Sequence, residues 1–222
     1  IFEERINKGE DAIEAALCTI REVSVMNRKI RFEGDAYSAE WHAEAKRRGI
    51  VKARTIPEGI DLFMEPETLT MLEELGIFRK KEMESFYVIR MESFVKNIEI
   101  EMSVLRDMIW EGILPAISKQ MILESGSLSS VGDCGLEGTD EWKRHIARLA
   151  KAKIDLMEKT KELMEMKERM SKLNLRKHAD ALVDEAVPLM AEIRRIADSI
   201  EVYMSAENMA YPNYRSLLSL SA

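Results

Sequence analysis

The chain has 222 residues, 46% hydrophobic and 33% charged, with few glycines, prolines and aromatics. That balance gives a chain long enough for a sizeable core and makes all-α the starting expectation. Its 33 Lys and Arg against 40 Asp and Glu leave a formal charge of -7, which argues against a phosphate-coating surface and so against nucleic acid as a partner.

Residues Glu10 to Val23 place Ile13, Ala16, Leu17 and Ile20 at helical spacing and predict a first helix. Ile30-Arg31-Phe32 alternates and reads as a strand fragment or an extended connection. Gly34-Asp35 supplies a turn, Ser38 an N-cap, Glu40 an acid for the positive helix start, and Gly49 a C-cap after Lys46, Arg47 and Arg48. A short capped helix follows from these signals. Thr55-Ile-Pro-Glu58 matches a capping box, and Pro66-Glu67 begins another short helix that Gly76 ends.

From Arg79 to Leu123 the pattern lengthens. Tyr87, Met91, Phe94, Ile98, Met102, Leu105, Ile109 and Ile113 recur at steps of three and four, predicting one long amphipathic helix with a kink at Pro115. Glu124 to Gly138 is rich in Gly and Ser without a period and reads as a loop about which two antiparallel arms fold. The second arm starts at Thr139 and carries Ile146, Leu149, Ile154, Met157, Leu163, Met166 and Met170. A third segment runs from Leu175 to Ala206 with Pro188 as a kink or break, and the closing residues should dock on something. The expected architecture is all-α: short connecting helices and a connector over residues 1–78, a long antiparallel hairpin or bundle over 79–207, and an irregular docking tail over 208–222.

The sequence offers little to reactive chemistry. A carboxylate-bridged di-metal bundle needs Glu-x-x-His pairs, yet none of His42, His145 and His178 has a Glu three residues before it, so surface histidines are expected. Cys134 sits in a Gly-rich turn without an identifiable basic partner, whereas an activated thiol depends on one. The two cysteines, Cys18 and Cys134, match neither a disulfide framework nor a CxxC site, and no apolar run approaches the roughly 20 residues that span a bilayer. A cytoplasmic setting without membrane contact is expected. Dinucleotide and P-loop fingerprints are lacking, the 15 methionines read as core filler, and Arg47, Arg48, Arg144, Arg194 and Arg195 read as solvated faces with weak ion pairs. From the residues alone, the chain is a helical interaction or structural unit.

The segment KIRFEGDAYSAEWHAEAKRRGI, Lys29 to Ile50, resembles a stretch of type III glutamine synthetases, with its F-x-G-D turn, E-W pair and E-A-x-R-R-G helix end. The likeness continues through RTIPEGIDLFM, LEELGIF and the long helix with its I-L-P-A kink, and ends in IRRIADSIEVYMSAENMAYPNYRSLL. Ala36 and Met209-Ala210 depart from the pattern, which has glycine and tryptophan-proline there. The resemblance implies a parent ligase that makes glutamine from glutamate, ammonia and ATP with magnesium or manganese, in stacked hexameric rings. Its metal, phosphate and glutamate residues lie on a β-rich catalytic domain upstream of the matched region, so no catalytic, cofactor-binding or metal-ligating residue is assigned to this chain. The expected role is a non-catalytic carboxy-terminal region whose partners are the catalytic domain of the same polypeptide and neighbouring subunits. An opening residue of Ile rather than Met fits a fragment. The alternatives are a free-standing helical scaffold or regulator and a metal-dependent bundle in its own right.

Overall fold

A computed structural model describes residues 1–36, 38–50, 53–133, 138–212 and 217–218, and all regular structure among them is helical. The chain forms two compact units that divide between Arg54 and Thr55. In the first, α1 (Phe2–Asn7) leads to α2 (Ala12–Met26), whose N-cap Asp11 accepts from the Ile13 and Glu14 amides. Arg5 joins the two helices by pairing with Glu10 and with Glu22. Ile30, expected to begin an extended segment, closes a 3₁₀ turn at Arg28–Ile30, and the chain becomes extended only at Arg31.

The next helix, α3 (Ala39–Arg48), forms as its local signals require. The Ser38 hydroxyl accepts from the Trp41 amide, and Gly49 takes the left-handed conformation at φ 65° that ends the helix. Arg48 donates to the carbonyls of Arg28, Lys29 and Arg31 at 3.4, 3.1 and 2.5 Å, so a residue read as a solvated charge ties the 3₁₀ turn to α3. Phe32 stacks on Trp41 with ring centroids 4.4 Å apart.

The second unit begins with α4 (Ile56–Asp61), capped by Thr55, and α5 (Pro66–Glu74). Ile60 joins the core, and Phe63 and Phe78 lie 5.4 and 6.3 Å from Phe86, so residues 55–78 pack on the long helix that follows. That helix runs unbroken from Lys80 to Asp133, as α6 (Lys80–Asp107), a π-turn at Met108–Ile113 and α7 (Leu114–Asp133). Then come α8 (Asp140–Met170), α9 (Leu175–Ala181), a second π-turn at Leu182–Ala186 and α10 (Val187–Glu201). The result is a three-helix bundle with up-down-up order. Its antiparallel pairing is fixed by Trp142 to Glu124, Lys153 to Ser118 and Lys167 to Ser103 on one side, and by Lys159 to Glu192 and Arg169 to Glu185 on the other.

Both prolines sit two residues beyond a π-turn. A proline inside an α-helix lacks the donor for the carbonyl four residues back and presses its ring against it. Here the preceding bonds span five residues, from the Leu114 amide to the Ile109 carbonyl and from Val187 to Leu182, and the helix continues past each proline. Pro188 therefore does not break the third segment.

The stripe predicted on the long helix faces the core: Met91, Met102 and Ile109 are buried, with Tyr87, Phe94, Ile98, Leu105 and Ile113 packed against them. On α8 the seam is different. Leu149, Leu156, Leu163 and Met170 are buried at steps of seven, with Ala152 and Thr160 between them, as in coiled-coil packing. Ile154 and Met157, placed on the stripe by their spacing, are exposed.

The loop expected over Glu124 to Gly138 is helical in its first part. Its first ten residues, Glu124–Asp133, continue α7, and α8 begins at Asp140. The Ser127 and Ser130 hydroxyls turn back to the Leu123 and Gly126 carbonyls, and the Glu124 carboxylate accepts from Gln120 and Trp142. Packing against α8 thus outweighs the glycines. Residues 134–137, including Cys134, lie outside the described residues.

Candidate functional site

Three polar constellations and one apolar groove are built into the bundle. In the first, α4 brings Asp61 between Tyr87 of α6 and Arg176 of α9. Arg176 donates through Nε to both Asp61 oxygens at 3.2 and 2.9 Å and pairs with Asp180, while the Tyr87 hydroxyl donates to Asp61 Oδ1 at 3.1 Å. The Asp61 carboxylate, with help from Asp180, raises the Arg176 pKa above its ordinary value against the opposing effect of burial. Burial first, and the bond to Asp61 second, push up the Tyr87 phenol. Both groups therefore keep their protons, and the cluster acts as a fixed tie between three helices rather than as an acid–base pair.

The second is His178, expected on the surface and found buried, with Nε2 3.7 Å from Glu99 Oε1. Lys167 of α8 reaches the Glu99 carbonyl at 3.0 Å and Ser103 Oγ at 2.6 Å beside them. His42 is exposed, and His145 meets Tyr203 edge-on. Among the described residues, no group of three or more His, Cys, Asp or Glu is placed to hold a metal ion.

The third is centred on Gln120, a buried residue of α7. Its Oε1 accepts from the Ser205 amide at 3.1 Å and from Asn208 Nδ2 at 2.9 Å, and its Nε2 donates to Glu124 at 2.9 Å. Trp142 Nε1 donates to the other Glu124 oxygen at 2.7 Å. Further along, the Tyr211 hydroxyl donates to the Met108 carbonyl at 3.3 Å. Below it lies a groove of about 580 Å³, floored by Leu105, Ile109, Ile113 and Ile117 and walled by Ile200 and Met204.

Of the other arginines expected on solvated faces, Arg47, Arg48, Arg144 and Arg194 pair with acids. Glu44 accepts from Arg47 and Arg48 at 2.6 Å, and these two guanidiniums hold its carboxyl down at about 2. Arg144 pairs with Glu141 and Arg194 with Asp198, while Arg195 turns to the Ala191 carbonyl.

A large apolar surface remains uncovered. On α2, Ile13, Leu17 and Ile20 are 72%, 62% and 63% exposed at i, i+4 and i+7, whereas the opposite side buries Ala15. Ile100, Val104 and Met108 form a similar exposed row on the long helix. Sequence spacing identifies such rows but treats them as core, since periodicity reports an apolar face and not what covers it.

An all-α bundle cross-tied by ion pairs defines the class as a helical domain. A family model described as glutamine synthetase C-terminal domain matches residues 15–126, just over half of the chain, and the chain belongs to that family. Glutamine synthetase of Butyrivibrio fibrisolvens is 27% identical over 218 residues, covering 95% of this chain and 30% of that protein. That of Bacteroides fragilis (strain YCH46) is 27% identical over 229 residues, covering 98% of this chain and 30% of that protein. The type-3 glutamine synthetase of Dictyostelium discoideum is 23% identical over 207 residues, with 90% of this chain and 28% of that protein covered. The chain thus spans about 30% of the length of the curated relatives it matches. No helix among the described residues is long and apolar enough to cross a membrane.

Proposed function

We propose that this chain is the non-catalytic helical region of a type III glutamine synthetase, which packs on the catalytic domain of its parent polypeptide and contributes to contacts between subunits. ATP, magnesium or manganese, glutamate and ammonia are handled by residues of the parent outside this chain, in the cytoplasm. The observation that carries the reading is the uncovered face of α2, where Ile13, Leu17 and Ile20 are all more than half exposed within a folded helix. Full burial of each such side chain is worth about 1.5–3 kcal/mol, so a partner surface that covers the row gains several kcal/mol that this chain alone forgoes.

The test has two arms. The pure chain is assayed for phosphate release dependent on glutamate and ammonia, and none above a heat-killed control is expected. The catalytic portion encoded in the same open reading frame is then expressed separately and titrated with the chain by calorimetry. Binding that weakens at least tenfold in the Ile13→Ser, Leu17→Ser, Ile20→Ser variant, whose helix content stays unchanged, supports the reading. Phosphate release by the chain, an open reading frame without a catalytic portion, or unchanged binding by the variant overturns it.

A further inference from the structure

The outward side of α6 carries one short pattern twice. Ile89-Arg90 returns eleven residues later as Ile100-Glu101, an isoleucine followed by a charge, and the two charges are opposite. Eleven residues are close to three whole turns, so the two pairs lie in line along the helix, about 16 Å apart. Each isoleucine stands two residues before a fully buried methionine, Met91 or Met102, which turns it about 200° away from the core. Ile89 and Ile100 are accordingly more than half exposed, and Val104, one turn further on, is half exposed.

Neither charge has a counterpart on its own helix. Three and four residues from Arg90 stand Phe86, Tyr87, Ser93 and Phe94, and at the same steps from Glu101 stand Asn97, Ile98, Val104 and Leu105. Among the described residues, Arg90 meets no acid and lies over the Phe86 ring, 5.1 Å from its centroid, while Glu101 has no hydrogen-bond or ion-pair partner. Stacking on Phe86 orients the guanidinium and leaves its N–H edge open to a carboxylate.

A face of this kind complements itself. In an antiparallel pair of identical helices like flanks meet, so Arg90 of each copy comes opposite Glu101 of the other, and the ion pair forms twice. That register places Ile89 of one copy midway between Ile100 and Val104 of the other. The symmetry axis then passes beside Lys96, and each Lys96 has Glu92 of the other copy within a turn. We propose that the chain forms a symmetric dimer in which α6 packs antiparallel on α6 of a second copy, through Ile89, Arg90, Ile100, Glu101 and Val104. This face belongs to the second unit and the α2 row to the first, so the dimer and the docking of a catalytic domain are independent.

The dimer is tested on the full chain by sedimentation equilibrium, where a dissociation constant below about 1 mM is expected. Arg90→Glu and Glu101→Arg should each weaken it at least tenfold, since each sets like charges together twice. Mixed in equal amounts, these two chains should form a heterodimer within threefold of the original affinity, because every acid then meets an arginine. Ile100→Ser should weaken the dimer as well, with circular dichroism and urea midpoints unchanged in all three variants. If Arg90→Glu does not fold, Arg90→Gln takes its place, and its mixture with Glu101→Arg should still associate more tightly than either chain by itself. The Ile13→Ser, Leu17→Ser, Ile20→Ser chain should dimerise like the unaltered one. An unaltered chain that stays monomeric to about 1 mM would overturn the proposal, as would a mixture that stays monomeric, a dimer that the charge reversals leave unchanged, or one lost in the α2 variant.

Discussion

Leu156→Ala is expected to destabilise the bundle by about 3 kcal/mol, and Ile154→Ala, two residues away, by less than about 0.5 kcal/mol. The two positions differ by about 200° around the helix, because each residue advances it by about 100°. Leu156 has no exposed surface and sits in the seam of seven-residue steps, whereas Ile154 is 55% exposed. Truncating a fully buried leucine costs the transfer of its methyl groups plus the cavity left behind, about 2.7–5 kcal/mol in well-packed cores. The flanking small residues Ala152 and Thr160 allow some collapse, which places the value toward the lower end. For Ile154, the small apolar area that truncation returns to water is offset in part by the better helix propensity of alanine, about half a kcal/mol. At about 2–4 °C per kcal/mol for a unit of this size, the melting temperature of Leu156→Ala should fall by about 6–12 °C and that of Ile154→Ala by no more than about 2 °C. Thermal unfolding followed by circular dichroism at 222 nm, with urea titration as a second measure, reads both. Equal losses, or a larger loss at Ile154, would mean that α8 presents a different face to the core and that the seam is wrong.

Arg176→Met should cost about 1–2 kcal/mol by removing charge-assisted bonds to Asp61 and Asp180, and Arg176→Lys should recover less than half of that because an ammonium cannot reproduce the fork; urea titration of the three proteins checks it, and full recovery by lysine would refute the forked geometry. Glu44, held at about 2 by Arg47 and Arg48 against an ordinary 4.5, favours the fold of the first unit above pH 4.5, and that contribution is lost as the pH falls from 4.5 to about 2. An NMR titration of its carboxyl carbon should show the low midpoint and a rise on Arg47→Gln, Arg48→Gln; a midpoint near 4.5 in the unaltered chain would contradict the pairing.

Signals confined to a few neighbouring residues were the most legible. Ser38 and Gly49 bound α3, Thr55 caps α4, and Pro66 opens α5, because each cap is decided by backbone groups within one turn. The stripe of the long helix was legible for the same reason, since all its residues share one 3.6-residue period. On α8 two apolar rows compete, and the buried one includes Ala152 and Thr160, which hydropathy ranks low. The helical stretch from Glu124 to Asp133 was hidden because its support comes from Trp142, across the turn. The contacts that Ser205, Asn208 and Tyr211 make with the long helix are 85 to 103 residues distant in sequence, beyond the reach of any local pattern. His178 was missed because burial depends on where Glu99 and Lys167 arrive, on two other helices.

The two lysine–serine ties across the bundle measure its helices against each other. Lys153 and Lys167 are fourteen residues apart on α8, yet their partners Ser118 and Ser103 are fifteen apart on the long helix. The surplus residue falls in the interval that holds the π-turn, so the turn works as a vernier: it takes up one residue and returns both hydroxyls to the same phase as the lysines. Shortening Met108–Ile113 by one residue, together with Pro115→Ala, should convert that interval to plain α-helix and leave both ties in reach. The same deletion on α8 would swing one lysine through about 100° and break its tie, so the two strands of this bundle differ in which of them can lose a residue.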